Sequence, residues 1–169
     1  MTTLYTTAPS PVGELTLTAT DQGLTSIRFP DPERGGAPAN GAVAAEWERD
    51  DRPFAAVLAQ LDAYWSGQPV TFDLQLAPTG TPFQLRVWEA LAEIPYGLTR
   101  SYGQLAARVG ARGAARAVGA ANGCNPLPII VPCHRVIGAD GRLTGYGGGL
   151  ERKRFLLALE SGARELAMA

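Results

Sequence analysis

Two short motifs fix where helices must begin in the second half of this chain. They read TPFQ (residues 81–84) and SYGQ (101–104), so each sets a hydroxyl residue three positions before a glutamine. In such a capping box the hydroxyl accepts a hydrogen bond from the third helical N–H, and the glutamine side chain accepts one from the N–H of the capping residue. Proline at the first helical position is preset for a helix. The motifs therefore predict helices that begin at residues 82 and 102.

The residues that follow indicate how these helices continue. Apolar side chains recur on one helical face from residue 83 and stop before Pro95. The second helix is short, and Gly110 can close it. A third helix, AARAVGAAN (114–122), follows the turn GARG, and a last helix is predicted around RKRFLLALE (152–160). Two short helices joined by a glycine-containing turn suggest a helix-turn-helix, a weak signal because helical hairpins are common.

The helix AARAVGAAN carries almost only small side chains. Arg116 is its single long basic residue, and the small residues around it are Ala114, Ala115, Ala117, Gly119 and Ala120. Such a smooth face permits close approach to another surface. Tight packing against a second helix explains the composition equally well.

The first half has a different pattern. ELTLTAT (14–20) and LTSIRF (24–29) flank the turn DQG and predict a β-hairpin. A Pro- and Gly-rich loop (30–42) follows. An apolar helical face is then formed by Phe54, Val57, Leu58, Leu61, Tyr64 and Trp65, and VTFDLQL (70–76) alternates as a strand. The predicted order is β-β-α-β, with an α/β domain over residues 1–77 and a second domain over residues 78–169.

Charge and composition narrow the function classes. Residues 1–77 carry 4 Arg against 10 Asp and Glu, whereas residues 78–169 carry 10 Arg and one Lys against 6 Asp and Glu. The basic half indicates a polyanionic partner, although chance patterning of surface charge explains it as well. There is no secretory signal and no apolar run near the ~20 residues of a membrane span. With two cysteines and one histidine, we expect a cytoplasmic protein with reduced thiols and no zinc site.

The candidate chemistry lies in NPLPIIVPCHRVIG (125–138), where Cys133 stands beside the only histidine, His134. A thiol attacks as a thiolate, a histidine can take its proton, and a carboxylate such as Glu160 can orient that histidine. The apolar residues before Cys133 read as a strand, on which neighbouring side chains point to opposite faces. A buried inert cysteine beside a structural histidine, and a solvated Glu160, remain alternatives.

These blocks together resemble the O6-alkylguanine-DNA alkyltransferases. The similarity runs in register from about residue 81 to residue 160. It covers FQLRVWEAL, IPYG, SYGQLA, AARAVGAANGCNP, NPLPIIVPCHRV, TGYGGG and LLALE. The resemblance implies an α+β fold, with a small ribonuclease H-like N-terminal α/β domain. A mostly helical, winged-helix-like C-terminal domain with a helix-turn-helix follows it.

The resemblance also implies a reaction. The alkyl group of O6-alkylguanine in duplex DNA, and of O4-alkylthymine, is transferred irreversibly to Cys133, once per protein molecule and without a cofactor or metal. The helix-turn-helix enters the minor groove, and the target base is flipped out of the stack. We expect a monomer, with side-by-side binding on DNA left open.

Roles for single residues follow from the same resemblance. Cys133 accepts the alkyl group, His134 takes its proton through a water, Glu160 orients His134, and Asn125 holds the turn before the acceptor. The implied substrate-binding residues are Tyr102, Val136, Tyr146, Gly147 and Gly148, with carbonyls near Cys133 and Val136 accepting from the guanine amino group. The implied DNA-binding residues are Ser101, Tyr102, Ala115, Arg116, Gly119, Asn122 and Arg135, with Arg116 filling the vacated stack and Tyr102 crowding the target phosphate.

Several alternatives remain at this point. Gly147 stands where the family often has serine, which implies an altered range of alkyl groups. Arg135 either contacts DNA or packs structurally, and Cys124 is assigned a structural role. A non-catalytic sensor of alkylation damage is the main rival function, but related sensors replace the acceptor cysteine. An unrelated cysteine-dependent hydrolase would leave the helix-turn-helix unexplained, and the repair half of a regulator would need an added Cys-rich domain.

Overall fold

The computed structural model describes residues 1–30 and 43–162. The chain divides into two compact units, Met1–Thr79 and Gly80–Ala169, a division two residues from the boundary expected from the sequence. All of the predicted Pro- and Gly-rich loop except Pro30 lies outside the described residues. Each unit is described by itself below.

The first unit is built on a four-stranded sheet in the order β3-β2-β1-β4. Its strands are β1 (Leu4–Ala8), β2 (Leu15–Thr20), β3 (Gly23–Arg28) and β4 (Glu48–Arg49). The predicted hairpin is confirmed, because β2 and β3 pair antiparallel across the DQG turn. β1 pairs antiparallel with β2 and parallel with β4.

One helix, α1 (Ala55–Trp65), follows a 3-10 turn over Arg52–Phe54. Its predicted apolar face is confirmed, since all but one of the six side chains are buried, while Leu58 is half-buried. Burial of aromatic and branched side chains on this face supplies the hydrophobic free energy that holds the helix.

The predicted order β-β-α-β is wrong. The sequence pattern did not predict β1 and β4. Residues 70–76 do not form a strand, and only Leu76 makes an isolated parallel bridge, with Leu24. The expected alternation of burial is present. However, the backbone N–H of Asp73 donates to Oε1 of Gln60 at 2.9 Å, and its carbonyl accepts from Nε2 of Gln60 at 3.0 Å. A side chain therefore satisfies the peptide groups that a neighbouring strand would otherwise pair.

Over residues 80–162, the second unit forms four α-helices and one short ladder. The helices are α2 (Pro82–Ala92), α3 (Tyr102–Arg108), α4 (Ala115–Gly123) and α5 (Leu150–Glu160). Both predicted capping boxes are confirmed, with all four reciprocal bonds between 2.8 and 3.1 Å. Gly110 follows α3 with φ +73°, a conformation that glycine adopts without strain. The strands β5 (Arg100–Ser101) and β6 (Val136–Ile137) pair in parallel.

The strand predicted before Cys133 is wrong. Residues 126–131 form turns, and Cys133–Arg135 form a 3-10 turn that leads directly into β6. None of the helices in the described part of the chain is long and apolar enough to cross a membrane.

A candidate active site around Cys133

Asn125 organises the chain that leads to Cys133. Its amide Nδ2 donates to the carbonyl of Val131 at 2.7 Å, and its Oδ1 accepts from the N–H of Leu127 at 3.0 Å. These bonds close a turn in which Ile129 adopts φ +77°, a rare value for a β-branched residue. A local side-chain network thus replaces the expected strand, and the predicted role of Asn125 in holding this turn agrees with its contacts.

The turn ends at Cys133, whose thiol is buried with 5% of the residue exposed. Burial raises the pKa of the thiol, while hydrogen bonds from Asn125 and Tyr146 and the charge of Lys153 act in the opposite direction. Because burial dominates, the resting group is a neutral thiol. A base must remove its proton before the sulfur attacks.

His134 is the base that the structure provides beside the thiol. The imidazole is fully buried, and its Nε2–H donates to Oε2 of Glu160 at 2.5 Å. A carboxylate only accepts, so this bond leaves Nδ1 as the nitrogen with a free lone pair. Among residues 1–30 and 43–162, nothing forms a hydrogen bond with Nδ1. Burial lowers the pKa of His134, so the resting imidazole is neutral and able to take a proton.

Glu160 is buried at the end of α5, not solvated. Burial raises the pKa of its carboxyl, but the hydrogen bond from His134 and the hydrogen bonds and charge of Arg135 outweigh that effect and hold it at about 2. The carboxylate therefore stays ionised at neutral pH. The alternative of a solvated helix end is wrong.

Lys153 is a member of the site that sequence reasoning missed. It is fully buried on α5, and its Nζ donates to the carbonyls of Val136 at 2.6 Å and Thr144 at 2.9 Å. These bonds join β6 to the start of the glycine-rich segment TGYGGG (144–149). Burial lowers the pKa of Lys153, and the neighbouring Cys133 acts to raise it. Its position three residues into α5, on the same face as Leu156 and Glu160, was the available signal.

The predicted substrate-binding residues divide into two groups. Tyr146 is buried and interacts with the Cys133 thiol, Gly148 is buried, and the carbonyl of Val136 is already bonded to Lys153. Gly147 is exposed, and a Cβ there would meet only the Gly123 carbonyl, at 3.6 Å. A side chain would fit at this position, so its absence leaves space beside Tyr146.

The predicted DNA-binding residues of α3 and α4 form one surface. Arg116, Ala117 and Ala120 are exposed, and Ser101, Ala115 and Gly119 are half-buried. A Cβ at Gly119 would lie 3.7 Å from the ring of Tyr102, so the small residue lets α3 and α4 approach closely. The Tyr102 hydroxyl accepts a hydrogen bond from Thr144 at 3.1 Å.

Two predicted DNA contacts lie inside the protein instead. Asn122 is buried, and its Nδ2 donates to the Cys133 carbonyl at 3.4 Å. Arg135 is bonded to Glu160 and Ile94, with 8% of its side chain exposed. Asn122 is thus bonded to the acceptor residue itself, and Arg135 to the carboxylate that holds His134. Cys124 is exposed at the end of α4.

The arrangement supports one kind of chemistry. A neutral thiol and a neutral imidazole are carried by consecutive buried residues, and an ionised carboxylate fixes the imidazole tautomer. Such a set can generate a thiolate on demand and hold the resulting imidazolium. Within residues 1–30 and 43–162, no three His, Cys, Asp or Glu side chains cluster so as to hold a metal ion.

Two family models match the chain, and together they span nearly all of it. Residues 3–78 match the ribonuclease-like domain of 6-O-methylguanine DNA methyltransferase, and residues 82–162 match its DNA binding domain. A methylated-DNA–protein-cysteine methyltransferase of Mycolicibacterium paratuberculosis is 54% identical over 160 residues, covering 92% of this chain and 91% of that protein. A protein of the same name from Methanosarcina mazei is 49% identical over 156 residues, covering 92% and 96%.

The fold is similar to a solved structure of this group. The crystal structure of Mycobacterium tuberculosis OGT in complex with DNA superposes with a TM-score of 0.84 at 51% identity, covering 95% of this chain and 94% of that chain. The expected fold class, α+β with a ribonuclease-like first domain and a helical DNA-binding second domain, is confirmed.

Proposed function

The chain belongs to the 6-O-methylguanine DNA methyltransferase family, and from this premise we propose that it repairs duplex DNA by moving the alkyl group of O6-alkylguanine to its own Cys133. The observation that carries the assignment to Cys133 is the buried thiol beside His134, whose Nε2 is bonded to Glu160 and whose Nδ1 is unpartnered. A binding protein would not need this set of groups.

The reaction begins with recognition of the duplex. α4 enters the minor groove, since its exposed residues are small and Arg116 is the long basic side chain on that helix. Arg116 fills the space that the flipped base leaves, and Tyr102 crowds the target phosphate. Flipping costs a few kcal/mol, and contacts between the protein and the extrahelical base offset that cost.

The transfer itself balances without an external reagent. The Cys133 proton moves through a bridging water to Nδ1 of His134, and Glu160 stabilises the imidazolium. The thiolate attacks the alkyl carbon, the carbon–O6 bond breaks, and an S–C bond forms. The displaced guanine takes up one proton, so the overall products are an S-alkylcysteine and an unmodified guanine.

The product explains why the protein acts once. A thioether is not hydrolysed by water, and nothing in the reaction regenerates the thiol. We therefore propose a stoichiometric, single-turnover reaction. O4-alkylthymine is a second substrate, because it presents an alkyl–oxygen bond of the same kind. The requirement for a reduced thiol favours the cytoplasm as the place of action.

Intact-protein mass spectrometry tests this function. The protein is incubated with a duplex carrying one O6-methylguanine, then digested and mapped. We expect one methyl group per protein, on Cys133, and none in Cys133→Ser. Cys124→Ser is the matched control, because Cys124 is an exposed thiol, and it should be methylated as fully as the unaltered chain.

The rival function gives a different result in the same experiment. A damage sensor would bind the modified duplex in a gel-shift assay, and the mass of the protein would stay unchanged. Methyl transfer to Cys124 in place of Cys133 would refute the assigned acceptor. A parallel duplex with O4-methylthymine tests the second substrate.

A further inference from the structure

The side chain of Arg135 is directed entirely into the protein. Its Nε donates to Oε1 of Glu160 at 2.7 Å, and its Nη2 donates to Oε2 of the same carboxylate at 3.1 Å. Its Nη1 donates to the carbonyl of Ile94 at 2.7 Å, just after α2. The guanidinium also lies over the ring of Tyr96, 5.7 Å from its centre. Arg135 therefore joins the end of α2 to the end of α5.

Arg135 and His134 hold one carboxylate from two directions. Oε2 of Glu160 accepts from Nη2 of Arg135 and from Nε2 of His134, the latter at 2.5 Å. A carboxylate has about four lone-pair directions, so it can accept all three bonds. The rigid guanidinium fork fixes the plane of the carboxylate, which a lysine in that place could not do. The plane of the carboxylate in turn sets the orientation of the imidazole.

The charges around the imidazole are balanced in the same arrangement. An isolated buried carboxylate would favour the imidazolium form of a bonded histidine. Burial lowers the pKa of His134, Glu160 acts to raise it, and the positive charges of Arg135 and Lys153 act to lower it. Cys133 on the same turn and Tyr96 beside Glu160 are the other titratable groups that face this cluster.

We propose that Arg135 is a positioning residue of the acceptor site, which clamps Glu160 in the plane that receives Nε2–H of His134 and so keeps Nδ1 as the proton-accepting nitrogen. This role replaces the contact with DNA considered from the sequence. Its effect on alkyl transfer rests on the proposed function, whereas its effect on the imidazole does not.

The single histidine makes the proposal directly measurable. His134 is the only imidazole in the chain, so its ¹⁵N resonances need no assignment. They are followed against pH in the full-length protein without DNA, in the unaltered chain, Arg135→Gln, Arg135→Lys and Arg142→Gln. Arg142 is a matched control, because it is an arginine with 85% of its side chain exposed that pairs with Asp140.

We expect a neutral Nε2–H tautomer in the unaltered chain. In Arg135→Gln the pKa of His134 rises, because the negative Glu160 is no longer balanced. The neutral base is then less populated, so the acidic limb of the methyl-transfer rate moves to higher pH. Transfer at neutral pH falls by about 10-fold to 100-fold, within the contribution typical of general-base catalysis. Arg135→Lys keeps the charge and loses the fork, so the Nε2–H signal becomes a tautomer mixture. Arg142→Gln matches the unaltered chain.

Three other results would decide between the possible roles of Arg135. If Arg135→Gln weakens binding to undamaged duplex and leaves the histidine titration unchanged, Arg135 is a DNA contact and the proposal is wrong. If Arg135→Lys keeps both the tautomer and the transfer rate, the clamp is not needed and the proposal is again wrong. If the titration shifts as expected but the unaltered protein transfers no methyl group, the proposed function fails and the role of Arg135 stands.

Discussion

Replacing Glu160 with glutamine measures how much the buried carboxylate stabilises the second unit. Glutamine has nearly the same shape but carries no charge. Burial raises the pKa of Glu160, yet His134 and Arg135 together lower it from 4.5 to about 2 in the folded chain. Lowering this pKa from 4.5 to about 2 corresponds to about 3 kcal/mol of free energy of unfolding. The substitution also leaves the Arg135 charge buried without its partner, which typically costs about 3–5 kcal/mol.

The pH dependence separates the charge from the shape. A carboxyl group whose folded pKa is depressed stabilises the fold above its unfolded pKa, and that stabilisation is lost as pH falls through the range from about 4.5 to about 2. At pH 3 the unaltered chain has lost about 2 kcal/mol of the stabilisation that the ionised Glu160 gives at pH 6. Glu160→Gln has no carboxyl group at this position and so has no such stabilisation to lose. The difference in unfolding free energy between the two proteins should therefore narrow by about 2 kcal/mol between pH 6 and pH 3.

Urea denaturation followed by far-ultraviolet circular dichroism tests this expectation. Four of the five α-helices in the described chain belong to the second unit, so the signal reports mainly on it. Glu93→Gln is the matched control, because Glu93 pairs with Arg108 at the surface with 55% of its side chain exposed, and such pairs contribute little. If the difference in unfolding free energy between Glu160→Gln and the unaltered chain stays constant from pH 6 to pH 3, the ionised carboxylate does not stabilise the fold as argued.

Three further substitutions test other parts of the structure. Lys153→Met should slow methyl transfer and lower the unfolding free energy by about 2–5 kcal/mol, because the buried carbonyl of Val136 and the part-buried carbonyl of Thr144 lose a charged donor and the thiol loses a neighbouring cation. Single-turnover kinetics and urea denaturation check it, and an unchanged rate would contradict it. Arg116→Ala should slow transfer from duplex DNA but not from a free O6-alkylguanine base, because only in the duplex does the flipped base leave a space for Arg116 to fill. The control is Arg112→Ala, since Arg112 is an exposed arginine in the turn before α4. Gly23→Ala should destabilise the first unit by more than about 1 kcal/mol, because the residue has φ +134° and a Cβ would lie 2.5 Å from the Gln75 carbonyl; thermal unfolding measures it, and a neutral result would refute the strain.

The features that could be predicted are those set by local interactions. A capping box needs only four neighbouring residues, and both were formed as the sequence indicated. The apolar face of α1 and the β2–β3 hairpin also follow from short-range periodicity. Residues 70–76 have the alternation of a strand, but only their end pairs with Leu24, and the peptide groups of Asp73 bond to the side chain of Gln60, which the pattern does not report.

The parts of the site that escaped prediction depend on distant contacts. Lysine is almost never fully buried without partners, and the partners of Lys153 are two backbone carbonyls that carry no sequence signal. Asn122 lies on a helix with exposed residues and Arg135 carries a charge, yet both are buried because the Cys133 carbonyl and the Glu160 carboxylate accept their hydrogen bonds. The sequence and the resemblance together indicated Cys133, His134, Glu160 and the turn-holding Asn125, but not the bonds by which Lys153 and Arg135 hold the site.

The short ladder between β5 and β6 fixes an alignment as well as a contact. β5 ends at Ser101, immediately before α3, and β6 begins at Val136, three residues after Cys133. Two residue pairs contribute little stability, but a slip of one residue would displace the acceptor by about 3.3 Å relative to Tyr102. The ladder thus sets the distance between Tyr102, at the start of α3, and the turn that carries Cys133. Changes in chain length should be tolerated in the turn at residues 110–113 and not between residues 133 and 136.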